Sequence, residues 1–265
     1  MRSISRVVDV SINTVTKLLV DAGKACEAFH DKEVQDVKFS RIQCDEIWSF
    51  CYAKAKNVSA AKAAPDEAGD VWTWTAIDSE AKLIISWMVG GRDAGYATEF
   101  ITDLETHLSN RVKLTTDGLK AYLEAVEDVL GSAIDYAQLV KLYGDVSSHG
   151  LERKYSLSVC NGSQKRRIQG HLDMKYVSTS HVERYNLAMR MSMRRFTRFT
   201  NAFTKKLENH YHALALYFFC YNFVRIHKTL KVTPAMEAGI TDHLYEVSDI
   251  LSLIDKKQVP GKRGS

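Results

Sequence analysis

The segment RIQCDEIWSF at residues 41–50 alternates apolar and polar side chains, which is the pattern of a β-strand with one buried face. Residues 71–78 and 82–89 have the same strand-like character and are separated from each other by a short turn. Between the first two strands, residues 54–70 are rich in Ala and Lys and have the composition of a loop. The three segments therefore predict a meander of antiparallel strands.

The order of the elements that follow the meander limits the number of folds that the sequence can adopt. Helical periods alternate with two further strand-like segments, so the predicted order is β-β-β-α-β-α-β before a helical C-terminal region. This is the order of the ribonuclease-H-like fold, an α/β fold whose mixed sheet has three antiparallel strands plus parallel crossovers; another α/β domain is the alternative. The later predicted elements are helices over 96–108 and 118–130, strands over 112–117 and 134–142, a polar and basic insertion over about 143–178, and helices within 179–227.

The sequence predicts three parts: a partial helix-turn-helix segment over residues 1–38, a catalytic domain over 39–240 and a C-terminal tail over 241–265. In the first part, apolar residues recur at helical spacing on both sides of Ser11, which can cap the second helix. A helix-turn-helix would place that second helix in the major groove of DNA, whereas any short helical hairpin would share the pattern. The residues expected to face DNA are Asn13, Thr14 and Lys17.

Composition and charge exclude several classes of protein. The 265 residues are 45% hydrophobic and 26% charged, as in a globular protein, and the five cysteines form no C-x-x-C pair that would predict a zinc site. No apolar run is long enough to span a membrane and no signal peptide is evident, so we expect a cytoplasmic protein. Residues 152–206 carry 13 Lys/Arg and 3 Asp/Glu, which indicates a nucleic-acid partner.

Three acidic residues stand out by their predicted positions. Asp45 lies in the middle of the first strand, Asp117 ends the fourth strand, and Glu183 begins the basic helical region. The first and fourth strands are neighbours in a ribonuclease-H-like sheet, so the two aspartates would face each other and Glu183 would complete the site. Such a set of hard oxygen ligands predicts Mg²⁺ or Mn²⁺, with two ions expected.

Other acids have simpler interpretations. Glu46 is expected to point to the opposite face of the strand from Asp45 and to be solvated, although it is the first substitute if Glu183 lies too far away. Asp78 ends a strand before a turn and is expected to stabilise that turn.

Local sequence strings resemble a known family, the insertion-sequence-one-like (IS-one-like) transposases, which are DDE recombinases with a ribonuclease-H-like core. The resemblance runs from about residue 3 to residue 240, and its most specific part is the glutamate-helix string. The strings are DEIWSF at 45–50, TAIDS at 75–79, TTDG at 115–118 with Tyr122, and HVERYNL at 181–187 with Arg190. The string YNFVRIHK at 221–228 resembles a C-terminal signature shared across DDE insertion-sequence transposases.

The resemblance implies that Asp45 and Asp117 are the catalytic aspartates and that Glu183 is the catalytic glutamate. Together they would hold two Mg²⁺ ions for DNA strand cleavage and for transfer of the freed 3′ hydroxyl. Glu183 lies 66 positions after Asp117, and this spacing implies an insertion between them. The residues implied to bind the element ends are Arg194, Arg195, Arg198, Lys205 and Lys206, with Arg225 and His227 as possible support for DNA or for the active site.

The arginines of the basic region have a helical spacing of their own. Arg190, Arg194 and Arg198 recur at i, i+4 and i+8, which predicts one stripe along a helix with Arg195 beside it. Arginine suits this role because its guanidinium binds phosphate through two hydrogen bonds and keeps its charge. A stripe of surface arginines paired with distant acids is the alternative.

The leading hypothesis is therefore a DNA transposase that acts on element ends and target DNA as a homo-oligomer, in the bacterial cytoplasm and associated with the nucleoid. Neither a membrane nor a small-molecule substrate is expected. The alternatives are a ribonuclease-H-like nuclease and an inactive, domesticated transposase that binds DNA.

Overall fold

The computed structural model describes residues 1–144, 160–197 and 200–258, with the side chains of 255–258 excepted. Its centre is a six-stranded sheet in the order β3-β2-β1-β4-β5-β6. The strands are β1 (Arg41–Cys51), β2 (Gly69–Asp78), β3 (Ile84–Gly90), β4 (Lys113–Asp117), β5 (Asp135–Tyr143) and β6 (Cys160–Gln169).

The directions of the strands define the fold. The first three form an antiparallel meander, β4 runs parallel to β1, and β5 runs parallel to β4. The connection from β1 to β4 contains β2, β3 and a helix, and a second helix connects β4 to β5, as parallel crossovers require. The sheet is that of a ribonuclease-H-like fold. The predicted fold class and the order of its first five strands are confirmed.

Helices cover both faces of the sheet. One apolar cluster joins the sheet to α3 and α4 through Trp74, Phe100 and Tyr122. A second cluster joins the sheet to α5 and α6 and includes Ile47 and Phe218. The helices are α1 (Arg2–Val8), α2 (Ile12–Glu33), α3 (Ala94–Thr106), α4 (Ala121–Leu130), α5 (Ser180–Ser192), α6 (Leu207–Phe219), α7 (Pro234–Glu237) and α8 (Asp249–Gln258).

The N-terminal helices differ from the short unit that the sequence predicts. Ser11 caps α2 as expected, its side chain accepting a hydrogen bond from the backbone N–H of Asn13 at 3.2 Å. However, the helical pattern of the sequence covers only residues 1–22, whereas α2 continues to Glu33, and its buried residues Ala22 and Cys26 belong to the first apolar cluster. The second half of α2 therefore packs into the core of the sheet domain, while α1 contains no buried residue.

The predicted insertion contains a strand. Residues 160–169 form β6, which pairs antiparallel with β5 at the edge of the sheet. The sequence has no strand period here because every side chain of β6 is exposed or half-buried, so no apolar alternation is needed. The segment 143–178 can be interpreted as an insertion or as a long loop, and the long loop is wrong for these residues; residues 145–159 of the same segment lie outside the described part of the chain.

No helix among the described residues is long and apolar enough to cross a membrane.

The contact between α2 and α6 depends on Gly23. A Cβ atom at this position would lie 2.4 Å from the Cβ of His212 and 2.7 Å from its Cα. Because one of these atoms belongs to the backbone, the two helices would have to move apart. Glycine is unfavourable inside a helix, so its presence here is explained by the close approach of the two helices.

We expect Gly23→Ala to lower the free energy of unfolding by about 1–3 kcal/mol, despite the better helix propensity of alanine. Gly162→Ala is the matched control, because no atom lies within 4 Å of the added Cβ there. Urea denaturation of the two variants measures the difference. A Gly23→Ala protein as stable as the wild type would contradict the close packing.

Candidate metal centre

Asp45 is held in position by two hydrogen bonds. Its Oδ2 accepts a hydrogen bond from the Asn186 amide on α5 at 2.9 Å, and its Oδ1 accepts one from the backbone N–H of Glu46 at 2.9 Å. Gln43 lies two residues earlier on the same face of β1 and also contacts α5. Its side-chain oxygen accepts hydrogen bonds from the backbone N–H groups of His181 and Val182, at 2.8 and 3.1 Å. The face of β1 that carries Asp45 is thus fastened to the first turns of α5.

Asp117 lies beside Asp45 because β1 and β4 are paired in parallel. The register matches Cys44 with Thr116, the residues directly before the two aspartates. Asp117 ends β4, and its Oδ1 accepts a hydrogen bond from the backbone N–H of Leu119 at 2.9 Å. The predicted pairing of the first and fourth strands therefore brings the two aspartates together.

Glu46 departs from its predicted environment. Its side chain is fully buried and bound to Arg92, whose Nε lies 3.0 Å from Oε2. The prediction of a solvated Glu46 is wrong because helices cover this face of the sheet as well, as its cross-strand partner Trp74 in the core shows. The other carboxylate oxygen, Oε1, is buried and has no hydrogen-bond partner.

These three acids form a group with the geometry of metal ligands. One carboxylate oxygen from each of Asp45, Glu46 and Asp117 can be chosen so that all three lie within 4.8 Å of one another. Carboxylate oxygens are the donors that Mg²⁺ and Mn²⁺ prefer, and the unpartnered Oε1 of Glu46 is available as a ligand. The donor set therefore fits a divalent cation.

The acids raise one another's pKa values. Burial and the neighbouring Asp117 raise the pKa of Asp45 to about 7, and the same two causes raise the pKa of Glu46 to about 8. Burial also raises the pKa of Asp117. Charged carboxylates at this position are unfavourable without compensation, and a divalent cation supplies it.

Glu183 lies in the same cavity but outside this group. It stands in the first turn of α5, where the Thr179 hydroxyl donates a hydrogen bond to it. Its Oε2 lies 2.7 Å from the ammonium nitrogen of Lys141 on β5. Its charge is one of the causes that raise the pKa of Asp45. The structure thus gathers the three predicted acids around one space and pairs the glutamate with a lysine.

The space between these acids is a cavity of about 800 Å³ with cationic walls. Besides its contact with Glu46, Arg92 places its Nη2 atom 3.6 Å from Oδ2 of Asp117. Neither Arg92 nor Lys141 was predicted as a site residue from the sequence. For Lys141, its position within the fifth predicted strand was the signal that could have indicated it. The charged residues that line the cavity are Asp45, Glu46, Arg92, Asp117, Lys120, Lys141, Glu183 and Arg190.

The predicted arginine stripe does not form as one helical row. Arg190 lines the cavity, but α5 ends at Ser192, and a separate 3₁₀ turn carries Arg194 and Arg195. The backbone of Met193 between them is extended, which ends the helix, and Phe196 in the turn is buried. Arg194 is exposed, whereas Arg195 donates a hydrogen bond to the backbone carbonyl of Asn209 at 3.2 Å. Arg198 lies outside the described residues.

The remaining predicted DNA contacts lie at several places on the surface. Lys205 and Lys206 are exposed directly before α6, and the three predicted residues of α2, Asn13, Thr14 and Lys17, are exposed as well. Arg225 and His227 do not line the metal-site cavity; Lys82, in the turn between β2 and β3, is close enough to lower the pKa of His227, after the effect of burial. The structure therefore does not bring these two residues to the acids.

No protein-family profile and no curated protein matches the sequence. Among the solved structures that it resembles are transposase and intasome complexes. One is a simian T-cell lymphotropic virus intasome in complex with PP2A regulatory subunit B56 gamma, at 12% identity and a TM-score of 0.42, covering 80% of this chain and 59% of the other.

Two further structures are similar to a lower degree. A Mos1 transposase paired-end complex with the left transposon end has 14% identity and a TM-score of 0.27, covering 51% of this chain and 52% of the other. A piggyBac transposase synaptic complex with hairpin DNA has 10% identity and a TM-score of 0.34, covering 85% and 55%. The chain thus spans between half and three fifths of the length of these proteins, and its function has to be inferred from the side chains of the cavity.

The raised pKa values predict how stability depends on pH. Without metal, the folded state holds the carboxyl protons of Asp45 and Glu46 more tightly than the unfolded state does. This contribution to stability is therefore complete below about pH 4 and is lost as the pH rises through 7 to 8. We expect the Asp45→Asn variant to lose less stability as the pH rises. At pH 8 in EDTA, its free energy of unfolding should exceed that of the wild type by roughly 1–3 kcal/mol.

Urea denaturation at pH 5 and pH 8 measures this effect. Asp66→Asn is the control, because Asp66 is an exposed carboxylate in the loop between β1 and β2. An Asp45→Asn protein less stable than the wild type at pH 8 would show that the carboxylates do not repel one another.

Proposed function

We propose that this protein is a DDE-type DNA transposase of an insertion sequence, which cuts and joins DNA strands by metal-dependent phosphoryl transfer. The observation that carries the proposal is the group of carboxylate oxygens from Asp45, Glu46 and Asp117 within 4.8 Å of one another. It lies in a cavity that also contains Glu183 and cationic side chains. This arrangement provides metal ligands and positive charge around one open space, as strand cleavage requires.

The residues of the cavity have separate roles in this proposal. Asp45 and Asp117 hold Mg²⁺ or Mn²⁺, Glu46 offers its unpartnered Oε1, and Glu183 contributes from α5. Two bound ions would activate the attacking oxygen and stabilise the leaving one. Asn186 keeps Asp45 oriented through its hydrogen bond, whereas Lys141 holds Glu183 in place through their ion pair.

DNA would approach along the basic surface beside the cavity. Arg190 and Lys120 line the cavity itself. Arg194, Lys205 and Lys206 follow Arg190 in the sequence and are exposed. Contacts of this kind with phosphates supply most of the affinity for DNA and little sequence preference. The exposed residues of α2 are the proposed contacts for sequence recognition, in a helix-turn-helix formed with α1.

The insertion-sequence assignment depends on the sequence strings that resemble the IS-one-like family. In this assignment the protein acts as a homo-oligomer that joins two element ends. It does so in the cytoplasm of a bacterium, bound to the nucleoid. A nuclease would release cut DNA, and a DNA-binding protein without activity would leave it intact. Joining of the freed 3′ hydroxyl to a second DNA molecule distinguishes the transposase from both.

Substitution of the acids tests the proposal. We expect Asp45→Asn, Asp117→Asn and Glu183→Gln each to lower strand cleavage at least about 1,000-fold, since each removes charge from the metal site. DNA affinity should change less than about threefold, because it comes from the basic residues. The substrates are duplexes covering the DNA on either side of the coding region, incubated with Mg²⁺.

Asp66→Asn serves again as the control and should cleave as the wild type does. Cleavage retained by any one of the three variants would remove that residue from the site. A wild-type protein that binds these duplexes but cuts none of them with Mg²⁺ or Mn²⁺ would overturn the proposed activity.

A further inference from the structure

A second cleft, of about 540 Å³, lies next to the acidic cavity. Arg190 lines both spaces, so the two share a wall. The cleft combines aromatic and basic side chains, whereas the cavity combines acidic and basic ones. Its lining residues are Trp48, Lys54, Ala55, Lys56, Asp70, Trp72, Arg190 and Phe196.

The two tryptophans of the cleft are neighbours on the same face of the sheet. Trp48 on β1 is paired with Trp72 on β2, and both rings are half-buried. The other two tryptophans, Trp74 and Trp87, are buried in the apolar clusters. The sheet thus presents two large flat rings in a cleft beyond its helix-covered core.

Cationic groups already lie against these rings. The guanidinium of Arg92 lies 4.5 Å from the centre of the Trp72 ring, and the ammonium of Lys54 lies 5.6 Å from that of Trp48. Arg92 also forms the ion pair with Glu46. A continuous series of contacts therefore leads from an acid of the metal site to the rings of the cleft.

The alternation of rings and cations continues along the same end of the sheet. Phe50 stacks on Phe203 with their ring centres 5.1 Å apart. The ammonium of Lys205 lies 3.8 Å from the centre of the Phe203 ring and 5.6 Å from that of Tyr52. Rings with basic groups beside them are the composition of surfaces that bind unpaired nucleic acid, since bases stack on rings and phosphates bind cations.

We propose that the cleft binds an unstacked base of a DNA strand next to the metal centre. Its volume is in the range of small-molecule sites, which is sufficient for a single base. Paired bases inside a duplex are already stacked and cannot reach the tryptophans, so the cleft requires an unpaired or extruded nucleotide. Its placement beside the reacting strand rests on the proposed function, whereas the binding itself does not.

Other occupants fit the cleft less well. A cationic ligand would be repelled by the positive charges of Arg92 and Lys54 beside the two rings. An acidic protein segment would find the same basic groups but would not need two neighbouring tryptophans. The basic groups beside the rings complement the phosphates of a DNA strand.

Binding of a short single strand in EDTA tests the inference without any cleavage. A fluorescein-labelled 12-nucleotide thymidine strand and a 12-base-pair duplex are titrated with each variant. We expect Trp48→Ala and Trp72→Ala each to weaken binding of the single strand by about 5- to 150-fold and binding of the duplex by less than about threefold. Trp72→Phe should retain most of the affinity because the ring is kept.

The salt dependence of binding separates stacking from charge. Replacing a tryptophan releases no counterions, so the slope of log affinity against log salt should stay unchanged. Lys54→Gln should make the slope smaller by roughly 0.7 if it removes one contact between a single strand and Lys54. Tyr176→Ala is the matched control: this exposed ring lies 4.8 Å from the Arg41 guanidinium, at the opposite end of β1.

Three outcomes would overturn the inference. They are an unchanged single-strand affinity in both tryptophan variants, an equal loss for strand and duplex, and an equal loss in Tyr176→Ala. If Trp48→Ala or Trp72→Ala unfolds, the tryptophan fluorescence of the wild type is measured instead. Quenching by the single strand but not by the duplex supports binding of a base in the cleft, and equal quenching by both refutes it. A failed cleavage assay would contradict the proposed function but would not affect the interpretation of these binding results.

Discussion

The repulsion among clustered carboxylates is the constraint on which the site depends. Parallel pairing of β1 with β4 brings Asp45 and Asp117 together, and the buried Glu46 adds a third carboxyl group. In water these groups would separate or remain solvated, but here the sheet and its helices fix them. Holding these groups together costs electrostatic free energy, which the raised pKa values of Asp45 and Glu46 express and which bound cations would relieve.

The surrounding residues make this arrangement tolerable in the absence of metal. Arg92 neutralises Glu46 and approaches Asp117, while Lys141 neutralises Glu183. The hydrogen bonds of Gln43 to the first turn of α5 fix the helix that carries Glu183 against β1. Because Arg92 also stacks on Trp72, it connects the charge balance of the metal site with the aromatic cleft.

The sequence allowed the fold to be predicted further than the site. Alternation in residues 41–50 and in the next two strands gave the meander, and the adjacency of Asp45 and Asp117 followed from the strand order. The exposed strand β6 has no apolar period, so it was missed. The burial of Glu46 and its pairing with Arg92 depend on residues 46 positions apart, which no local pattern encodes. The continuation of α2 into the core was missed because its buried positions include small residues such as Ala22 and Gly23.

Calorimetric titration of the metal-free protein with Mn²⁺ tests most directly whether these acids form a metal centre. At pH 6.5, in two buffers with different ionisation enthalpies, we expect binding to release protons, because Asp45 and Glu46 have pKa values of about 7 and 8 before the ion binds. Asp117→Asn should weaken the affinity at least about tenfold. Binding of Mn²⁺ without proton release, and with the same affinity in Asp117→Asn, would contradict the account.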